Sequence, residues 1–231
     1  KESFKPVALI GTHAPGATPL RPEEIAALRP AVSWITTHEQ LNQAEAANIA
    51  EYEAWMQSAR GVALKRVLTD DFLIRLHKRM FGNVWRWAGQ YRLHDLQNEF
   101  ASPHTRIRQD MRVLFEDMTF LATTALEPVS PQELAARLHH RIVRVHPFPN
   151  GNGRTSRAIA DFLLEKVFRV ERFRWGSADL ATIGEMRSEY IAGLIWPAPV
   201  NWHKCISRGL AHARNAQVWF APDGERDARS L

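Results

Sequence analysis

Cysteine is almost missing from this 231-residue chain: Cys205 stands alone. A single thiol cannot close an intrachain disulfide, and no zinc site can be built mainly from thiolates, which points to a reducing compartment. Long apolar runs are missing too. No stretch approaches the roughly 18 to 20 apolar residues that a spanning helix needs, and no charged-then-apolar leader is present. The expectation is a cytoplasmic protein with no membrane contact. The 30 lysines and arginines outnumber the 25 acidic residues by 5, but they are scattered and form no basic block. A solvated basic surface fits that pattern better than a nucleic-acid footprint does. Neither repeats nor low-complexity tracts occur.

What remains is an ordinary globular composition, 45% hydrophobic and 24% charged, set almost everywhere at helical period. Residues 11–22 are rich in Pro and Gly, and a short helix ends at Pro30. Thr37 with Gln40 makes a capping box, after which Leu41, Ala44, Glu45, Asn48, Ile49, Tyr52 and Trp55 share one face. Thr69, Asp70 and Asp71 open a helix whose apolar face is Phe72, Leu73, Leu76 and Met80. The helical period lapses after Gly82 and resumes at Ile107, continuing through Met111, Leu114, Met118 and Leu121. Ser130, Pro131 and Glu133 supply N-cap, N1 and N3 of a further helix that buries Leu134, Leu138, Ile142 and Val145. Two more helical patterns follow, over 178–194 and 200–215. The fold class is all-α, with 90–105 the one plausible hairpin.

One stretch between helices differs from the rest: His146 to Arg157, reading HPFPNGNGRTSR. Pro147 and Pro149 stop the preceding helix, and the Asn-Gly-Asn-Gly run reaches backbone angles closed to other residues. A new helix starts near Gly153, with Ile159, Phe162, Leu163 and Val167 toward the core. A glycine-rich loop feeding a helix N-terminus presents unpaired N–H groups with a positive dipole behind them, which suits phosphate. Arg154 and Arg157 add two guanidinium forks beside it, and such forks suit a polyphosphate. His146, at the rim, is placed as an imidazole base. Each residue taken singly has a structural explanation; the ordered set is much harder to explain that way. His139 and His140, seven and six residues before His146, have poor spacing for a shared metal. The tryptophans Trp85, Trp87, Trp175 and Trp196 read as packing residues, and RIRQDMR over 106–112 as a solvated helix face.

This stretch resembles the signature of the Fic family, H-x-F-x-[D/E]-G-N-G-R-x-x-R. It matches at His146, Phe148, Gly151, Asn152, Gly153, Arg154 and Arg157 and departs at Asn150. Together with HHRIVRVHPF, RMFGNVWRWAGQYR and ITTHEQLNQAEAANI, the order is most similar to the subgroup called mobile mystery protein B. The resemblance covers about residues 17–200. It implies a Fic-type helical bundle with a central helix–loop–helix and a small β-hairpin flap over 90–106. An N-terminal extension over 1–30, a Fic-type domain over 31–215 and a polar tail over 216–231 would complete the chain.

The implied activity is transfer of AMP from ATP to a Ser, Thr or Tyr hydroxyl of a target protein, with release of pyrophosphate. His146 would be the base and Phe148 the anchor of the loop. Gly151, Asn152 and Gly153 would hold the α-phosphate, and Arg154 and Arg157 the outer phosphates. Family members carry an acid at position 150 that ligates Mg²⁺; Asn150 offers one carbonyl oxygen and no charge. Many relatives restrain themselves with a glutamate that pairs with the last arginine of the signature. Glu45 is the candidate for that role, and a regulatory or antitoxin-like partner is a further expectation. Two alternatives stay open: transfer of another phosphate-containing group from a different nucleotide donor, or a catalytically weak nucleotide-binding interaction protein.

Overall fold

The structure is a computed structural model and describes residues 21–96, 101–123, 129–173 and 175. The helices expected over 178–194 and 200–215, Cys205, Trp196 and the polar tail lie outside the described residues. All the main elements are helical: α1 (Pro22–Ile25), α2 (His38–Ser58), α3 (Leu64–Val67), α4 (Asp70–Phe81), α5 (Ile107–Thr123), α6 (Pro131–Val145) and α7 (Asn152–Phe162). The last of these runs on into a π-helical stretch, Leu163–Phe168. Among the described residues none of the helices is long and apolar enough to cross a membrane.

Local chemistry sets the starts of these helices. Thr37 Oγ1 accepts from Gln40 N at 3.2 Å while Gln40 Oε1 accepts from Thr37 N at 3.2 Å, closing the capping box of α2. Thr69 and Ser130 cap α4 and α6 in the same way, through Phe72 N at 3.2 Å and Glu133 N at 3.1 Å. Helices α6 and α7 form the central pair, with α4 and α5 against them and α2 across α4. Leu73, Leu114, Leu138, Ile142, Phe148 and Ile159 are fully buried in the shared core. The buried stripe of α2 is mixed: Leu41, Tyr52 and Met56 are apolar, but Glu45 and Asn48 lie between them. Asn48 is satisfied there, donating to Arg79 O at 3.1 Å and accepting from Asn83 N at 2.9 Å.

Residues 21–29 are tied into the body of the protein. An isolated antiparallel bridge joins Leu28 to Trp85, and Arg86 N donates to Ala27 O at 2.9 Å. The hairpin expected over 90–106 is not formed among the described residues. The chain runs without regular structure to residue 96 and ends in a 3₁₀ turn, His104–Arg106, while 97–100 lie outside the described residues. In the described part, the carbonyls of His94 and Ser102 both accept from the side chain of Arg92.

Candidate active site

Helix α6 stops at His146, which takes the left-handed conformation at φ 52° and donates its N–H to Ile142 O at 2.9 Å. The ring is 9% exposed. Its Nδ1 lies 3.1 Å from Val143 O, and a carbonyl partner requires the proton on that nitrogen. Nε2 is thereby the lone-pair nitrogen, the form a general base needs. Burial pushes the imidazole down to about 4, and the Arg92 charge adds to that shift against the bond to Val143. The ring is therefore neutral at physiological pH.

Phe148 is fully buried and stacks on His77, with ring centroids 3.8 Å apart. Asn152 closes the loop from inside: its Oδ1 accepts from Phe148 N and its Nδ2 donates to Phe148 O, both at 2.8 Å. This side chain is committed to the loop, leaving its backbone N–H as the group that faces a ligand. Gly151 has φ 77°, and a Cβ there would meet the Phe81 ring at 2.7 Å. Only glycine fits. At Gly153 a Cβ would meet nothing closer than Arg157 Nη1 at 3.9 Å, so the fold does not demand glycine. No side chain caps α7, and its first backbone bond runs from Thr155 N to Gly151 O at 2.9 Å. The amides of residues 152–154 thus lack intrahelical acceptors, which is the arrangement that receives an anion.

Arg154 and Arg157 leave the first turns of α7 toward different neighbours. The Arg154 guanidinium lies 4.7 Å over the Phe81 ring and donates to Glu45 Oε2 at 2.6 Å. Glu45 is 2% exposed, and its other oxygen accepts from Trp85 Nε1 at 2.7 Å. The glutamate singled out from the sequence is therefore buried at the site, but it pairs with the first arginine of the signature. Arg157 turns to the other side, where its charge helps hold the buried His139 imidazole well below the usual range, after the larger effect of burial. The packing of α2 on α4 brings Glu45 to the flank of α7 that carries Arg154, beside Phe81 at the end of α4.

Asn150 offers a metal one neutral side-chain oxygen and no charge. Its Oδ1 accepts from Gly151 N at 2.5 Å and its backbone oxygen accepts from His77 Nε2 at 3.1 Å. Hard divalent cations prefer charged oxygens, and this one is neutral and already engaged. No cluster of three or more His, Cys, Asp or Glu suited to a metal occurs among the described residues.

Sequence reasoning missed His77, Trp85 and Arg92 as parts of this site. His77 is fully buried, accepts from Gly89 N at Nδ1 (2.9 Å) and donates from Nε2 to the loop. Burial pushes it down to about 3, so it is a neutral spacer between α4 and the loop. A polar residue on the apolar face Leu73, Leu76, Met80 was the available signal. Arg92 carried none, since its hydrogen bonds go to backbone carbonyls, those of Ser102, Val145 and His146 being remote in sequence.

The Fic/DOC family pattern matches residues 67–164. This segment, which spans α4 to α7, is what the chain shares with the family. A protein adenylyltransferase Fic of Nematostella vectensis is 31% identical over 102 residues, covering 43% of this chain and 23% of that protein. The chain thus spans about a quarter of the length of the curated relatives it matches. Among solved structures, the N-terminal Fic domain of a Bartonella effector protein from Bartonella sp. AR 15-3 aligns with a TM-score of 0.56 at 14% identity. That alignment covers 86% of this chain and 92% of that one. The Fic domain of a VirB-translocated Bep effector from Bartonella quintana, with bound ADP, aligns with a TM-score of 0.53 at 18% identity over 76% and 85% of the two chains. These structures share the fold.

Proposed function

We propose that this chain transfers AMP from ATP to a hydroxyl side chain of a protein, releasing pyrophosphate. The observation that carries the reading is the sequence of parts in one loop. A neutral imidazole with its lone pair on Nε2 ends α6, and an uncapped N-terminus flanked by two arginines begins α7. His146 accepts the proton of a Ser, Thr or Tyr hydroxyl. The hydroxyl oxygen bonds to the α-phosphorus, and the bond from that phosphorus to the oxygen bridging to the β-phosphate breaks. The amides of residues 152–154 take up the charge on the α-phosphate, while Arg154 and Arg157 bind the outer phosphates. The adenylyltransferase names of the relatives support AMP as the group, and the bound ADP in a structural neighbour supports a nucleotide. The resemblance to the mobile mystery protein B subgroup belongs to this reading, as do a cytoplasmic setting and a regulatory partner. Any Mg²⁺ would be held chiefly by the phosphates, with Asn150 a weak ligand.

As described, the site is restrained. A carboxylate 2.6 Å from Arg154 competes with phosphate for the same fork, so Glu45 acts as an inhibitory group on the first arginine. Glu45→Gly should therefore raise self-modification with ATP, read by intact mass spectrometry as added AMP. Adding other nucleoside triphosphates in parallel tests the donor. Unchanged modification in the glycine variant would remove the inhibitory role, and a different added mass would shift the donor.

A further inference from the structure

Arg92 is 2% exposed, and among the described residues its ion-pair partner is Asp95, which is mostly exposed and 3.8 Å away. A guanidinium is costly to bury unless its donors are satisfied, and a core position would ordinarily hold an aliphatic residue. Here the donors go to backbone carbonyls of two separate segments. Nε donates to His146 O at 2.8 Å and Nη2 to Val145 O at 3.4 Å, where α6 ends. Nη1 donates to His94 O at 2.8 Å and Nη2 also donates to Ser102 O, on the two arms of the segment before α5. The backbone N–H of Arg92 adds a bond to Pro147 O at 2.9 Å. One planar fork thus joins the residue carrying the base to the segment on either side of 97–100. A lysine could not reproduce this, because a point charge cannot serve four carbonyls in fixed directions.

We propose that Arg92 is a positioning residue that locks residues 90–96 and 101–106 to the peptide of His146, so that these residues and the base move as one unit. The inference rests on His146 being the base, because only then does its position set a rate. The two sides of the coupling are distinct in kind. Toward α6, Arg92 satisfies C-terminal carbonyls that no further turn can serve. Toward the segment before α5, it joins His94 O to Ser102 O across residues 97–100. That segment is held from its far side as well, with His94 Nε2 3.0 Å from Glu24 Oε1 and Arg21 donating to Asp95 O at 3.2 Å. Arg92 is the link from this frame to the base.

The test uses the full chain and two variants, Arg92→Lys and Arg92→Met, with hydrogen–deuterium exchange and kinetics side by side. Exchange should quicken together in peptides covering 90–96 and 144–153 in both variants, while α2 and α5 keep their protection. Transfer should lose about 10²-fold in kcat, the scale expected for a small misplacement of a reacting group. KM for ATP should stay within about twofold, since Arg92 touches no phosphate-binding group. Faster exchange over 90–96 with 144–153 unchanged would overturn the coupling. So would a wild-type kcat in a variant whose two segments had both loosened, or global loss of protection in both variants, which would mark Arg92 as plain scaffold. If the wild-type chain transferred nothing from any nucleotide, the functional reading would fail, while the exchange data would still decide whether the two segments are joined.

Discussion

Asn150 is the residue at which this chain leaves the family pattern, and its bonding gives the departure a physical meaning. An acid there would bring a charged oxygen to the phosphates; the amide instead turns its oxygen to the next backbone N–H. The loop keeps its shape because His77 holds the carbonyl of the same residue from below. Asn150→Asp should therefore leave the fold intact and lower the Mg²⁺ concentration needed for half-maximal transfer, without changing the transferred group. Titration of the rate against Mg²⁺ checks this. An equal or weaker dependence in the Asp variant would show that position 150 takes no part in metal binding.

At the scale of the loop and helix α7, the two outer glycines of the signature have different duties. Gly151 is required by its positive φ and by the Phe81 ring, so Gly151→Ala should destabilise the protein by about 2 to 3 kcal/mol. At Gly153 a Cβ would make only ordinary contact with Arg157 Nη1 at 3.9 Å, so Gly153→Ala should melt with the wild type but bind ATP more weakly if a phosphate sits at this helix start. Thermal melts and calorimetric ATP titrations of the pair separate the two roles. Similar melting of both variants would contradict the assignment. The starts of α2, α4 and α6 were legible in the sequence because a cap is a local event, written within four residues. The loop was legible because its chemistry is consecutive. Glu45 could be singled out as a candidate, but its partner could not, since that depends on how α2 crosses α4. Arg92 was not legible as a site residue for a related reason: its hydrogen bonds to His94 O and Ser102 O, and to the carbonyls at the end of α6, depend on how the segments fold together.

Among the described residues, three of the buried histidines give the fold an acid limit. His77 is pushed down to about 3 and His146 to about 4, and His139 lies well below the usual range, all first through burial. Each folded-state value is below the unfolded one, so the folded protein binds fewer protons and the stabilisation is complete above about 6.5. It is lost as the pH falls from there toward the folded values. At pH 5 each buried histidine should cost on the order of 2 kcal/mol relative to pH 7. Calorimetry at the two pH values should show a lower Tm in acid, and His77→Gln should shrink that difference. A Tm independent of pH over this range would mean that the histidines are not buried as neutral rings.

The central claim is that His146 is the base of a nucleotidyl transfer, and labelled ATP tests it most directly. ATP carrying label on the α-phosphate, incubated with the Glu45→Gly chain and a cell lysate, should put label on protein hydroxyl groups. The same chain with His146→Ala added should bind ATP as before and lose about 10² to 10⁴ in transfer rate. Label transferred equally fast without the imidazole would contradict the account.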